Sequence, residues 1–188
     1  MLIKNMTPFT QFISDNYNQI NLIGVEVGVF TGINAGYLLN HLPIKRLYLV
    51  DNYKPYPHWD GGLEHYTQDQ MNSFYATMMM TIAHPCFECV MPIIHDSIWA
   101  AKLFSDNYFD FVYIDAGHTY EDVISDMNAW WPKTKRGGLF GGHDYGYPTT
   151  PGVKVAVDDF ITARNIPIKD PSLGIRVGES MEWGFFKP

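Results

Sequence analysis

The chain has 188 residues, a formal net charge of −7 and a composition that is 46% hydrophobic and 15% aromatic. That is one domain's length with ample material for a core, and it excludes wholesale disorder. Lys and Arg are few and form no stripe, which argues against nucleic acid as a partner because phosphates need a positive footprint. No apolar run approaches the ~18 residues that cross a bilayer. The opening "MLIKNMTPFTQF" also lacks a signal peptide's apolar stretch. No membrane partner is expected. The only cysteines, Cys86 and Cys89 in "HPCFEC", have no second Cys or His pair at zinc spacing. They read as thiols flanking a strand start in a reduced, cytoplasmic protein.

In chain order, "TPFTQFISDNYNQI" opens with Thr7 as N-cap and Pro8 at the first helical position. Phe9, Phe12, Ile13, Tyr17 and Ile20 then give one apolar face, so residues 1–20 are read as an N-terminal helix. "NLIGVEVG" predicts a strand, "INAGYLLNHL" a helix and "KRLYLVD" a strand. Residues 52–62 are rich in Pro, Gly and aromatics and read as loop, and residues 63–83 as helix. Together, residues 52–83 form a lid-like insertion with its helix. The alternation resumes with "CVMPIIHD" (strand), "SIWAAKLF" (helix) and "FDFVYID" (strand). Residues 120–131 are helical, with Val123, Ile124, Met127, Trp130 and Trp131 on one face. "GGLFGGHD" reads as a strand and "GVKVAVDDFITARN" as a helix, and "GIRVGESMEWGFFKP" as a terminal hairpin turning near Glu179. Strands alternating with helices predict one α/β domain over residues 1–188, with a mostly parallel sheet covered on both faces.

Each parallel strand closes on a carboxylate: Glu26, Asp51, Asp96, Asp115 and Asp144. Ligands of such sheets sit at the carboxyl ends of the strands. Acids converging on one rim repel one another, so they suggest a polyhydroxylated or cationic ligand, or a metal. After the first strand the chain reads E-x-G-x-x-x-G, from Glu26 through Gly28 to Gly32, and not the dinucleotide G-x-G-x-x-G. An acid beside these glycines suits an amino group better than a pyrophosphate. Asp51 stands where a ribose-binding acid belongs. Asp96 and Ser97 suit an adenine amino group, the cap of the next helix, or both. A ligand with ribose, adenine, an amino-acid end and a cationic centre, but no phosphate, is S-adenosylmethionine.

The motifs "GVEVGVFTG", "LYLVD", "HDS", "FDFVYIDAGHTYEDVISDM" and "KRGGLFGGHDY" run in this order from about Asn21 to Phe160. They resemble the successive motifs of class I S-adenosylmethionine-dependent methyltransferases. More narrowly they resemble small-molecule O-methyltransferases, among them macrolide-sugar methyltransferases and the cephalosporin hydroxylase-like group. The resemblance implies a Rossmann-like, doubly wound α/β fold ending in an antiparallel hairpin. It implies S-adenosylmethionine at Glu26, Gly28, Phe30, Gly32, Asp51, Asn52, Asp96, Ser97 and Asp115. It further implies a divalent cation, Mg²⁺ or Mn²⁺, on Asp115, His143 and Asp144. The chain departs from the family in its first loop, where Phe30 replaces the usual middle glycine.

A cation and a base would together activate a hydroxyl nucleophile. Asp115 and His118 are the catalytic candidates, His118 as the base because imidazole titrates in the right range. Tyr53, Trp59, His65, Tyr66 and Tyr145 are candidates for contacts to a small-molecule acceptor. The aromatic loop that supplies most of them suits an acceptor wall or the contact of a homo-oligomer. Two other readings stay open at this point. One is a nicotinamide-dependent oxidoreductase, disfavoured by Glu26 and the missing G-x-G-x-x-G. The other is a non-catalytic nucleotide-binding module.

Overall fold

The structure is a computed structural model that describes residues 6–17, 21–56, 66–168, 170–175 and 181–188. Its centre is a seven-stranded sheet in the order β3-β2-β1-β4-β5-β7-β6. Strands β1 (Leu22–Val27), β2 (Ile44–Val50), β3 (Val90–Ile93), β4 (Phe109–Ile114) and β5 (Thr134–Gly142) run parallel. β7 (Met181–Phe186) lies antiparallel between β5 and β6 (Ser172–Ile175), which is the terminal hairpin read from the sequence. Its turn near Glu179 lies outside the described residues. The order reverses between β1 and β4, and a crevice at that switch point is where ligands bind in such sheets.

Helices cover both faces because β4 is buried on both. Phe111 and Tyr113 enter one core, and Val112 and Ile114 the other. The first core is closed by α1 (Pro8–Asn16), α2 (Ile33–His41) and α3 (Gln68–Cys86), through Phe9, Ile13, Leu38, Met78 and Ile82. The second is closed by α4 (Ser97–Ala101), α5 (Tyr120–Trp130) and α6 (Pro151–Ala163), through Ala100, Met127, Trp130, Val157 and Phe160. Thr7 caps α1 as its spacing predicts, accepting from the Thr10 N–H at 3.2 Å, with Pro8 in the first turn. No helix among the described residues is long and apolar enough to cross a membrane.

Several boundaries differ from the sequence reading. α3 begins at Gln68 rather than at residue 63. β3 stops at Ile93, short of Asp96, because Asp96 leaves the sheet to cap α4 and accepts from the Trp99 N–H at 2.8 Å. β5 begins at Thr134, ahead of the glycines expected to open it. Cys89 is disulfide-bonded, which corrects the expected free thiols, while the Cys86 side chain lies outside the described residues.

Candidate active site

The loop from Gly28 to Gly32 is shaped by a close backbone approach. Gly28 has φ +83°, and a Cβ on it would lie 2.0 Å from the carbonyl oxygen of Asp115. Only glycine lets the end of β1 pass so near the end of β4. Phe30 adopts φ 50°, the left-handed conformation that a glycine would take freely. Three features hold it there. The Phe30 N–H donates to Asp51 Oδ2 at 3.0 Å, its carbonyl accepts from the Tyr53 hydroxyl at 2.9 Å, and its ring packs 4.2 Å from that of Phe74.

Asp51 brackets this loop. Its Oδ2 accepts from the N–H groups of Val29 and Phe30 and its Oδ1 from that of Tyr53, at 2.8–3.0 Å. A carboxylate has about four lone-pair sites, so most of Asp51's capacity goes to the backbone before any ribose arrives. Tyr53, read from sequence as an acceptor contact, is 4% exposed and packs in the core with its hydroxyl on Phe30. Tyr66 packs on the rings of Phe30 and Phe74. The burial of Tyr53 corrects its reading as an acceptor contact, and both tyrosines brace the loop. Gly32 is the N-cap of α2 at φ +75°, where a Cβ would meet Met78 Cγ at 2.9 Å.

Glu26 is 2% exposed, and its Oε1 accepts from Asn34 Nδ2 at 3.2 Å. Its Oε2 and the Asn34 Oδ1 are buried with no hydrogen-bond partner. Burial pushes the Glu26 carboxyl well above the usual carboxylate range. Two orphaned acceptors side by side are costly, and an ammonium group, with three donors, fits them. They line a cavity of ≈ 260 Å³ with Thr31, Asp115 and His143. A second cavity of ≈ 660 Å³ is lined by Asp51, Asn52, Asp96, Ser97 and Asp144. Gly28, Phe30, Asp115 and His143 line both. Asn52 sits at the rim of the larger one, its side chain accepting from the Lys54 N–H at 2.9 Å.

At the ends of β4 and β5, one ligand atom from each of Asp115, His118 and Asp144 lies within 4.8 Å of the others. His118 Nε2 is 3.0 Å from Asp144 Oδ2 and 3.8 Å from Asp115 Oδ1. His143 stands beside them, its Nδ1 3.3 Å from Asp144 Oδ2 and 3.8 Å from Asp115 Oδ1. Asp144 holds φ 64°, an outlier of the kind that clusters at functional sites. Burial lowers the pKa of His118, but its bonds to Asp115 and Asp144 outweigh this and raise it to about 10. The same balance, led by Asp144, raises His143 to about 9. The two imidazoles hold the Asp144 carboxyl far below the usual range. In the metal-free protein Asp115 and Asp144 thus favour the protonated ring of His118, and Asp144 that of His143.

Tyr145 is also corrected. It is buried, its hydroxyl donates to Asp158 Oδ1 at 2.8 Å, and it belongs to the core under α6 rather than to a ligand wall. Trp59 and His65 lie outside the described residues. Asn34, Asp126 and Glu182 join the site without having been singled out for it. Asn34 and Glu182 are lone polar residues in "INAG" and "MEWGFF", a weak signal. Glu182, on β7, accepts from the Phe9 N–H at 2.6 Å and the Tyr113 hydroxyl at 2.8 Å, which ties the last strand to α1 and β4.

A doubly wound sheet with acids around its switch point and an E-x-G loop in place of a phosphate cradle defines a class I methyltransferase type of site. A family model described as "Methyltransferase domain" matches residues 25–145, and the chain belongs to that family, whose cofactor is S-adenosylmethionine. An uncharacterized protein of Acanthamoeba polyphaga mimivirus is 25% identical over 153 residues, 79% of this chain and 63% of that protein. The chain thus spans less than two thirds of that relative's length. The O-methyltransferase NovP superposes with a TM-score of 0.61 at 18% identity, over 95% of this chain and 76% of that one. A calicheamicin methyltransferase gives 0.66 at 16% identity, over 93% and 76%. Spermidine synthase from Thermotoga maritima gives 0.60 at 13% identity, over 94% and 59%. At these identities the structures share the fold.

Proposed function

We propose that this methyltransferase acts on a hydroxyl of a small molecule, a sugar or another hydroxylated metabolite, with a divalent cation held by Asp115, His118 and Asp144. The observation that carries the proposal is that donor set, two carboxylates and an imidazole within 4.8 Å of one another. It stands where both cavities meet at Asp115. Carboxylates suit Mg²⁺ and the imidazole favours Mn²⁺. When bound, the cofactor supplies a methyl group on a sulfonium, and the cation lowers the pKa of a coordinated hydroxyl.

The chain's own residues do the rest. Glu26 Oε2 and Asn34 Oδ1 receive the ammonium of the methionyl end. Asp51 holds the loop against the ribose, and Asp96 and Ser97 face the adenine. Ligation would need a neutral ring, so His118 would give up its proton when the cation binds. A bound cation would also draw Asp115 and Asp144 away from His143, which lines both cavities; once that ring too had lost its proton, it would be the imidazole placed to take the hydroxyl's proton as the O–C bond forms and the sulfonium S–CH₃ bond breaks. The roles of His118 and His143 are thus exchanged relative to the sequence reading. A second reading is a metal-free route, favoured by the two histidine rings that stand against Asp144 at 3.0 and 3.3 Å and against Asp115 at 3.8 Å.

The test is methyl transfer from labelled S-adenosylmethionine to panels of hydroxylated small molecules and of amines, with Mn²⁺ or with EDTA. Transfer to hydroxyls that stops in EDTA and returns with Mn²⁺ is the expected result. Transfer to amines alone would overturn the O-acceptor. An unchanged rate in EDTA would establish the metal-free route.

A further inference from the structure

Asp126 is an acid on the otherwise apolar face of α5, among Val123, Met127 and Trp130, and is only 4% exposed. Its Oδ1 accepts from the hydroxyl of Ser97, the first residue of α4. Both residues line the larger cavity, next to the cap residue Asp96. We propose that Asp126 is a positioning residue that acts through Ser97 on the adenine end of the cofactor, so that cofactor binding weakens as Asp126 ionises. This rests on the reading that S-adenosyl compounds place their adenine at Asp96 and Ser97.

Two physical arguments give the same sign. Ser97 has one hydroxyl proton. While Asp126 is ionised that proton points at the carboxylate, and Ser97 offers a ligand only lone pairs. A protonated Asp126 donates to Ser97 instead, which frees the serine proton for a ring nitrogen of adenine. A bound adenine also removes the last water from the cavity wall, and desolvation disfavours the charged carboxylate. Binding therefore takes up a proton.

The charged groups facing Asp126 come from its own helix and from α4. Burial raises its pKa, the Ser97 bond lowers it, and Asp122 and Asp96 raise it, for a result of about 7. His95 lies beside Asp96, 2.7 Å from its Oδ2. The charged groups that α6 brings to α5, Asp159 at Tyr120 and Arg164 at Asn128, are bonded away from Asp126.

The experiment is calorimetry of S-adenosylhomocysteine binding to the metal-free protein between about pH 5.5 and 8.5, at most a tenfold change per unit for one linked proton. For the wild type we expect the affinity to fall several-fold between pH 6 and 8. Asp126→Asn, a permanently neutral isostere whose amide can also donate to Ser97, is expected to lose that part of the slope. At pH 8 it should bind as the wild type does at pH 6. The same pH dependence in both proteins, or none in the wild type, would overturn the inference while leaving the cofactor assignment standing. No binding at any pH would overturn both. His118 and His143 titrate in both proteins and cancel in the difference. Ser97→Ala provides a second arm should Asp126→Asn fail to fold. It removes the hydroxyl through which Asp126 acts, so the part of the fall in affinity carried by the serine proton should disappear, and the wild-type slope retained in full would count against the proposal.

Discussion

Asp144→Ala is expected to lower kcat/KM by at least ~100-fold, since loss of even an outer partner costs a metal site about 10–100-fold. The residue is the hub of the site, sharing Oδ2 between His118 and His143. Its replacement removes a proposed ligand and leaves two half-buried rings without the carboxylate that holds them. Stability should follow a defined pH course in the metal-free protein. His118 and His143 have raised pKa values, to about 10 and about 9. Their contribution is therefore complete below the unfolded value of about 6.5 and lost as pH rises through the folded values. Asp144 has a depressed pKa, so its contribution is present above the unfolded value of about 4 and lost on acidification. The difference in melting temperature between wild type and Asp144→Ala should be widest between about pH 4 and 6.5 and narrow on both sides.

The second large effect is expected at Asp51. Asp51→Ala removes the acceptor of three backbone N–H groups. Hydrogen bonds to a charged group contribute about 1.5–3 kcal/mol each in favourable cases. Water can replace part of them because Asp51 is only half-buried. A net loss of about 2–3 kcal/mol corresponds to a fall of roughly 4–12 °C in Tm. Because the bonds also hold the cofactor loop, affinity for S-adenosylhomocysteine should drop by about 30- to 150-fold. Asp51→Asn should rescue little, since its NH₂ must face N–H donors on one side or the other. Calorimetry and thermal melts of the two variants check both numbers.

Much of this site was legible because strand ends are legible. An apolar run that closes on an acid marks a carboxyl edge, and alternation with helices puts such edges side by side. Asp51, Asp96, Asp115 and Asp144 accordingly line the larger cavity, and Glu26 and Asp115 the smaller. Side-chain direction was not legible. Tyr53 and Tyr145 sit in polar, aromatic stretches that look like ligand walls, yet each hydroxyl is used internally, on Phe30 and Asp158. The choice between His118 and His143 also depends on geometry. Both follow or precede a strand-end acid, and only their distances to Asp115 and Asp144 separate them. Asp126 was not legible as a site residue either, since α-helical spacing does not reveal that Ser97 would arrive from α4 to bond it.

Everything proposed for the chemistry turns on one divalent cation at Asp115, His118 and Asp144, beside the cofactor. Anomalous diffraction from a crystal grown with S-adenosylhomocysteine and Mn²⁺ tests it directly. One peak is expected, within roughly 2.0–2.6 Å of a carboxylate oxygen of Asp115, one of Asp144 and a ring nitrogen of His118. A crystal with S-adenosylhomocysteine in place and no peak among these three side chains would contradict it.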